Sequence, residues 1–232
     1  MAIKALKPVR TGMSGPAMTQ ICAARTAYGA YVARVASGTA QGAPLEDTED
    51  GLGFAAEDNN AHLYDGFYEQ YEPMPIITSG LVYALVTTIA DTSIVAGDYL
   101  DVVDVSSGTQ ALALGVLAES GSNAGETKVA ASSVAQAMED LTLTAAGTYT
   151  QTFTTVAVGD TEIAGLTHAT IGLNVGDYII LRDADGNAQL NRVAGLPDAT
   201  TVTLAIPATV AITGGGSTDY VHAVRQLLVR IL

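Results

Sequence analysis

A glycine followed by an aspartate, with aliphatic residues on either side, recurs in this chain and limits what it can fold into. The first full statement reads Ile94-Val95-Ala96-Gly97-Asp98-Tyr99-Leu100-Asp101-Val102-Val103-Asp104-Val105. Glycine tolerates positive φ and aspartate bonds its own backbone, so Gly97-Asp98 is turn chemistry. From Tyr99 onward apolar and acidic residues nearly alternate, as they do along a half-buried strand. Ser106-Ser107-Gly108 closes that strand, and Ala111-Leu112-Ala113-Leu114-Gly115-Val116-Leu117 follows. The unit is a β-hairpin or meander. Leu173-Asn174-Val175-Gly176-Asp177-Tyr178-Ile179-Ile180-Leu181 restates it far downstream. Two such turns imply two β modules built on one theme.

The rest of the chain is compatible with that reading. At 232 residues it has room for one large β domain or two small ones. Hydrophobic residues make up 48% and charged residues 15%, enough for a sizeable core. Thr, Val, Ala and Gly dominate, which favours strands and tight turns over long helices. The longest apolar stretch, residues 81–96, is broken by Thr87, Thr88, Asp91 and Thr92, so no membrane span is expected. Lys4 and Lys7 have no apolar run behind them, so the start does not read as a signal peptide. The single cysteine, Cys22, excludes an internal disulfide and a cysteine metal cage, and reads as a small buried apolar residue.

Charge is divided unevenly. The net charge of −14 argues against general nucleic-acid binding. The first 45 residues hold Lys4, Lys7, Arg10, Arg25 and Arg34 and no acid, a segment of +5; all 24 acids and the other five bases lie beyond, at −19. A cationic arm on an anionic body can fold back, reach a neighbouring subunit, or reach another acidic surface.

Three parts follow in order. Residues 1–45 form the basic arm, punctuated by Pro8, Gly12, Gly15 and Pro16, with a first strand over residues 28–35. Residues 46–140, rejoined by 219–232, form the first β module. Within it, Tyr64, Phe67, Tyr68 and Tyr71 have the spacing of one face of a short helix, and fit an irregular aromatic loop equally well. They are either a satellite cluster on the body or a contact surface. Residues 134–140 hold helix formers and suit one or two helical turns. Residues 141–218 form a second, inserted β module with strands over 141–144, 148–156, 178–182, 188–193 and 200–206. Gly214-Gly215-Gly216-Ser217 is the joint through which a last strand or short helix returns.

The letters offer little chemistry. Asp183-Ala184-Asp185-Gly186-Asn187 invites calcium, but no distal glutamate follows, and an Asp-Gly hairpin turn explains it. His62, His168 and His222 lie far apart without metal-type neighbours. Cys22 lacks a nucleophile motif, and no Gly-x-Ser-x-Gly elbow or phosphate loop is present. Glu57-Asp58 and Glu139-Asp140 read as solvated turn acids. No enzyme, cofactor or metal is expected.

Several phrases, in order, resemble the head decoration (capsid cement) proteins of tailed viruses, the lambda-like type included. They are Arg10-Thr11-Gly12-Met13-Ser14-Gly15, Gly53-Phe54-Ala55-Ala56-Glu57-Asp58, Ile94-Val95-Ala96-Gly97-Asp98-Tyr99-Leu100, Ala113-Leu114-Gly115-Val116-Leu117-Ala118-Glu119 and Gly125-Glu126-Thr127-Lys128-Val129. The resemblance spans about 130 residues and implies a mainly β fold, a small β-barrel or sandwich with an extended N-terminal arm. It implies a trimer seated on the exterior of an icosahedral virion shell, its arm touching the major capsid protein. Residues 141–218 would be an extra module, projecting outward. Lys4, Lys7, Arg10, Tyr64, Phe67, Tyr68 and Tyr71 are the candidate capsid or subunit contacts. Two other readings stand: a tail or spike component, and a carbohydrate-binding adhesive β module, for which residues 64–71 supply the aromatics.

Overall fold

The turns cut the chain into strands of two to twelve residues. The computed structural model describes residues 17–34, 41–44, 51–56, 66–87, 93–102, 115–119, 133–142, 152–183, 185, 187–215 and 220–232. The fold is mainly β.

Seven strands come first: β1 (Ala17–Cys22), β2 (Thr26–Ala27), β3 (Tyr31–Arg34), β4 (Gln41–Pro44), β5 (Gly51–Ala55), β6 (Phe67–Tyr68) and β7 (Pro73–Ile77). Five of them close a barrel in the order β1-β4-β3-β5-β7. Closure leaves no long ladder edge unpaired. Cys22, Val32, Ala55, Met74 and Ile76 fill one cluster inside it, and β2 pairs with β6 beside it.

The second half contributes β8 (Leu81–Val86), β9 (Ser93–Ile94), β10 (Tyr99–Val102), β11 (Leu117–Glu119), β12 (Ala135–Ala137), β13 (Leu141–Thr142), β14 (Glu162–Ile163), a single 3-10 turn at His168–Ile171, β15 (Tyr178–Arg182), β16 (Ala188–Gly195), β17 (Val202–Leu204) and β18 (Tyr220–Ile231). Pairings β8–β11, β11–β10, β10–β12, β12–β18 and β18–β8 close a second ring. Its topology copies that of the first barrel. In each, the first strand runs parallel to the third, while third and second, second and fourth, fourth and fifth, and fifth and first are antiparallel.

β18 belongs to two structures at once. Residues 225–231 complete the second ring against β8 and β12. Residues 220–224 pair with β15, from which β16, β17 and β14 extend the sheet. Arg225 sits where the two meet. Its guanidinium pairs with Asp177 at 3.1 Å and donates to the C=O groups of Gly172 and Thr142. One core runs through all of this, from Ala33 and Phe54 through Val82, Leu100 and Val229 to Ile179, Val202 and Ile212. Each fully buried aliphatic side chain there contributes roughly 1.5–3 kcal/mol.

Four turns share one hydrogen-bond pattern: Ala27-Tyr28-Gly29-Ala30, Val95-Ala96-Gly97-Asp98, Ala157-Val158-Gly159-Asp160 and Asn174-Val175-Gly176-Asp177. In each, the fourth N–H returns to the first C=O at 3.0–3.2 Å. The third residue is glycine, with φ of +81°, +107°, +96° and +95°, as a type II turn requires. That glycine's N–H then donates, at 2.8–2.9 Å, to a single buried residue of a neighbouring segment: Ala55, Ala137, Ala208 and Val193 in turn. The same residue's N–H donates back to the C=O of Ala30, Asp98, Asp160 or Asp177 at 2.8–2.9 Å. In the three turns with aspartate, the carboxylate also accepts the first residue's N–H at 2.7–2.8 Å.

Three sequence expectations change. Of the two readings of residues 64–71, the helix face is not realised in the described residues 66–71: Phe67–Tyr68 is strand β6. Residues 135–137 form β12, not a helical turn, because Ala135 and Ala137 point inward and Gln136 outward at period two. Residues 152–156 make no ladder beyond a bridge from Val156 to Ile212. The hairpin at Asp183 is as read. Its carboxylate accepts N–H groups from Asp185, Asn187 and Thr213 and the Asn187 amide, which is turn chemistry. Burial pushes that carboxyl up, but those bonds outweigh it and hold it below its ordinary value.

Candidate contact surface

The barrel wall made by β1 and β7 shows how the local sequence sets up a surface. Ile21 pairs with Pro73 and Thr19 with Pro75, all four directed outward, while Cys22, Met74 and Ile76 turn inward. Pro73 and Pro75 have no N–H to give either neighbour. Ile21 is 41% exposed. Beside it the chain turns at Tyr71, whose N–H donates to the C=O of Cys22 at 2.7 Å, while the Cys22 N–H donates to the C=O of Glu72 at 2.8 Å. Arg25 and Glu69 pair across the loop at 2.8 Å. Tyr71 is 69% exposed. It is also the one non-glycine among the described residues at positive φ, +73°.

That backbone costs a residue with a Cβ about 1–2 kcal/mol. Tyr71→Asn keeps the turn and tolerates it better, so it should raise stability by roughly 0.5–1 kcal/mol in urea unfolding. A loss of stability would show that the ring packs on the wall rather than standing free for a contact.

The other candidates fall elsewhere. Lys4, Lys7, Arg10 and Tyr64 lie outside the described residues. Phe67 and Tyr68 are core residues, so a contact role does not suit them. Phe67 meets Tyr178 edge-on at 5.7 Å, and Tyr68 meets Tyr28 edge-on at 4.8 Å. The Tyr68 hydroxyl donates to the C=O of Ala56, and that of Tyr178 to the C=O of Gly66. The Phe67–Tyr178 contact lies in a cluster that also holds Ala27, Ala30, Leu85, Val116, Ile206 and Val224, where both barrels and the β15 sheet meet.

A second exposed apolar surface was not singled out from sequence. Val95 and Tyr99 are each 54% exposed and Met138 is 44% exposed, around the Gly97 turn. Its signal was the turn motif itself, which places side chains at a tip.

Cys22 and His168 are tied into the fold. The Cys22 thiol is buried and donates to the C=O of Ala24 at 2.6 Å; burial pushes its pKa up, away from the reactive thiolate. His168 bonds the C=O of Asp198. His222 lies buried in β18, opposite Ile180. Among the described residues no group of three or more His, Cys, Asp or Glu converges to hold a metal ion. No helix among them is long and apolar enough to cross a membrane.

Fold and surface together define a mainly β chain with two barrels of one topology and exposed apolar residues on each. No protein-family model matches this chain, and no curated protein matches it.

Proposed function

We propose that this chain is a structural virion protein that binds the outer surface of an icosahedral capsid and stabilises it. It acts as a trimer, and its N-terminal arm contacts the major capsid protein. It needs neither cofactor nor catalysis, and it engages neither nucleic acid nor a membrane. The observation that carries the reading is the charge division, +5 over residues 1–45 against −19 beyond, on a chain bearing the ordered decoration-protein phrases. The phrases in described residues fall on β5, on the Gly97 turn with β10, and on β11, all barrel elements. An arm that crosses subunit junctions gains affinity without a pocket, and many copies on one shell add avidity.

Removal of residues 1–16 tests this, because it spares β1, which closes the first barrel. The truncated chain should keep its circular dichroism and lose binding to purified shells. Undiminished binding would overturn the arm's role. The full chain should be present on particles in a simple ratio to the shell protein; a handful of copies would point to a tail or spike.

A further inference from the structure

The turn at Gly29 joins the two barrels, and parts of that junction are repeated. In the second barrel, the first strand, β8, presents Leu85, whose N–H donates to the C=O of Gly29 at 2.9 Å. The N–H of Tyr31 donates at 2.8 Å to the C=O of Gly115, just ahead of β11, the third strand. The turn entering the second strand of one barrel therefore docks on the first and third strands of the next. Approach is close: a Cβ on Gly29 would stand 2.6 Å from the Tyr83 carbonyl oxygen. Ala27, Ala30, Leu85 and Val116 seal it.

The second barrel carries the same turn at Gly97, with the same clasp and again a tyrosine two residues on: Tyr31 in the first barrel, Tyr99 in the second. Here the Gly97 C=O accepts the Gln136 side-chain amide at 2.8 Å, but no other barrel docks on the turn among the described residues. Nothing stands within 4 Å of where a Gly97 Cβ would lie, and Val95 and Tyr99 are each 54% exposed. The first barrel carries a counterpart of the β8 part of that face. Matching the parallel pairs Cys22–Gly42 and Val86–Leu117 makes Ile21 of β1 the counterpart of Leu85. Leu85 is fully buried by the junction, whereas Ile21 is 41% exposed.

We infer that a second copy of this chain seats its β1 wall on the Gly97 turn, so that the junction made once within the chain is made again between chains. The occupant is another copy because the docking geometry is already realised inside this molecule, while Val95 and Tyr99 on one barrel and Ile21 on the other stand exposed. The two faces differ, so the contact is head-to-tail and either closes into a ring or propagates. A ring of three chains would set six like-folded barrels in a circle. This deepens the self-association proposed above, and its test does not involve shells.

The purified full chain is weighed by light scattering, alone and as variants. Wild type should exceed the monomer mass. Tyr99→Asp spoils the turn face and Ile21→Asp the strand face; both positions are exposed, and circular dichroism checks the fold. Each variant alone should be monomeric, with association weakened at least about tenfold. Their equal mixture should give a dimer of twice the monomer mass, since each supplies the face the other lacks. Val95→Asp and Thr19→Asp repeat the test should either first variant fail to fold. A monomeric wild type, variants that keep the wild-type mass, or a mixture that stays monomeric would each overturn the inference. Oligomers that ignore shells would instead overturn the decoration reading and leave this one standing.

Discussion

Gly29→Ala should cost about 4 kcal/mol of stability, while Gly159→Ala costs about 1–2 kcal/mol. Both glycines hold the third position of the same clasped turn, at φ +81° and +96°. Both substitutions therefore carry the strain of a Cβ in left-handed backbone. Only at Gly29 does that Cβ meet another chain segment, the Tyr83 carbonyl oxygen at 2.6 Å; at Gly159 nothing lies within 4 Å. A carbonyl cannot rotate aside as a long side chain can. Either the turn or β8 must move, and the bond from Leu85 N–H to Gly29 C=O loosens in a buried place. An unmade buried bond costs about 1–3 kcal/mol, which supplies the difference. Urea unfolding of the two variants checks it, and equal losses would show that the barrel junction yields freely.

Acid should weaken the fold by roughly 3 kcal/mol between pH 6.5 and 4. His222 is the cause. Its burial, and next the positive charge of Arg182, lower its pKa from 6.5 to about 4. The unfolded chain then takes up a proton on His222 before the folded chain does. Stability is complete above 6.5, falls as pH drops through the window, and levels off below about 4. Asp177 works the other way. Burial raises its pKa despite Arg225 beside it, so the folded state protonates first and gains as pH falls. Comparing wild type with His222→Gln isolates the histidine: the gap between the two stability curves should change by roughly 3 kcal/mol across the window. Parallel stability curves from about pH 7 to about pH 4 would rule His222 out.

Much of this was legible in the letters, and the gaps have physical causes. Gly97-Asp98, Gly159-Asp160 and Gly176-Asp177 announce turns because aspartate caps its own backbone there. The fourth turn, at Gly29, is the same object with Ala30 in place of aspartate, so its letters are silent. The clasping residues Ala55, Ala137, Ala208 and Val193 act through backbone N–H and C=O, which any residue but proline owns. The closing pairs of each barrel join residues distant in the chain, such as Gln136 with Arg230, and no local period reports that. At Phe67 and Tyr68 the helical spacing was met by chance within a two-residue strand, since short apolar runs do not distinguish the periods. For the contact surface, Tyr71 was readable as an exposed aromatic. The turn motif placed Val95 and Tyr99 at a tip, but their exposure depends on which barrel has a neighbour, which no letter reports.

The place of β18 has a consequence for synthesis. β8 and β12 are translated long before residues 220–231, yet both take their ladder partners from them. Until those residues leave the ribosome, the second ring stands open along two edges while the first barrel, completed by residue 77, can already close. Open edges of that kind invite pairing with other nascent chains. The first barrel can thus close before the second, and a stop codon shortly before Tyr220 would yield an aggregating product rather than a smaller barrel.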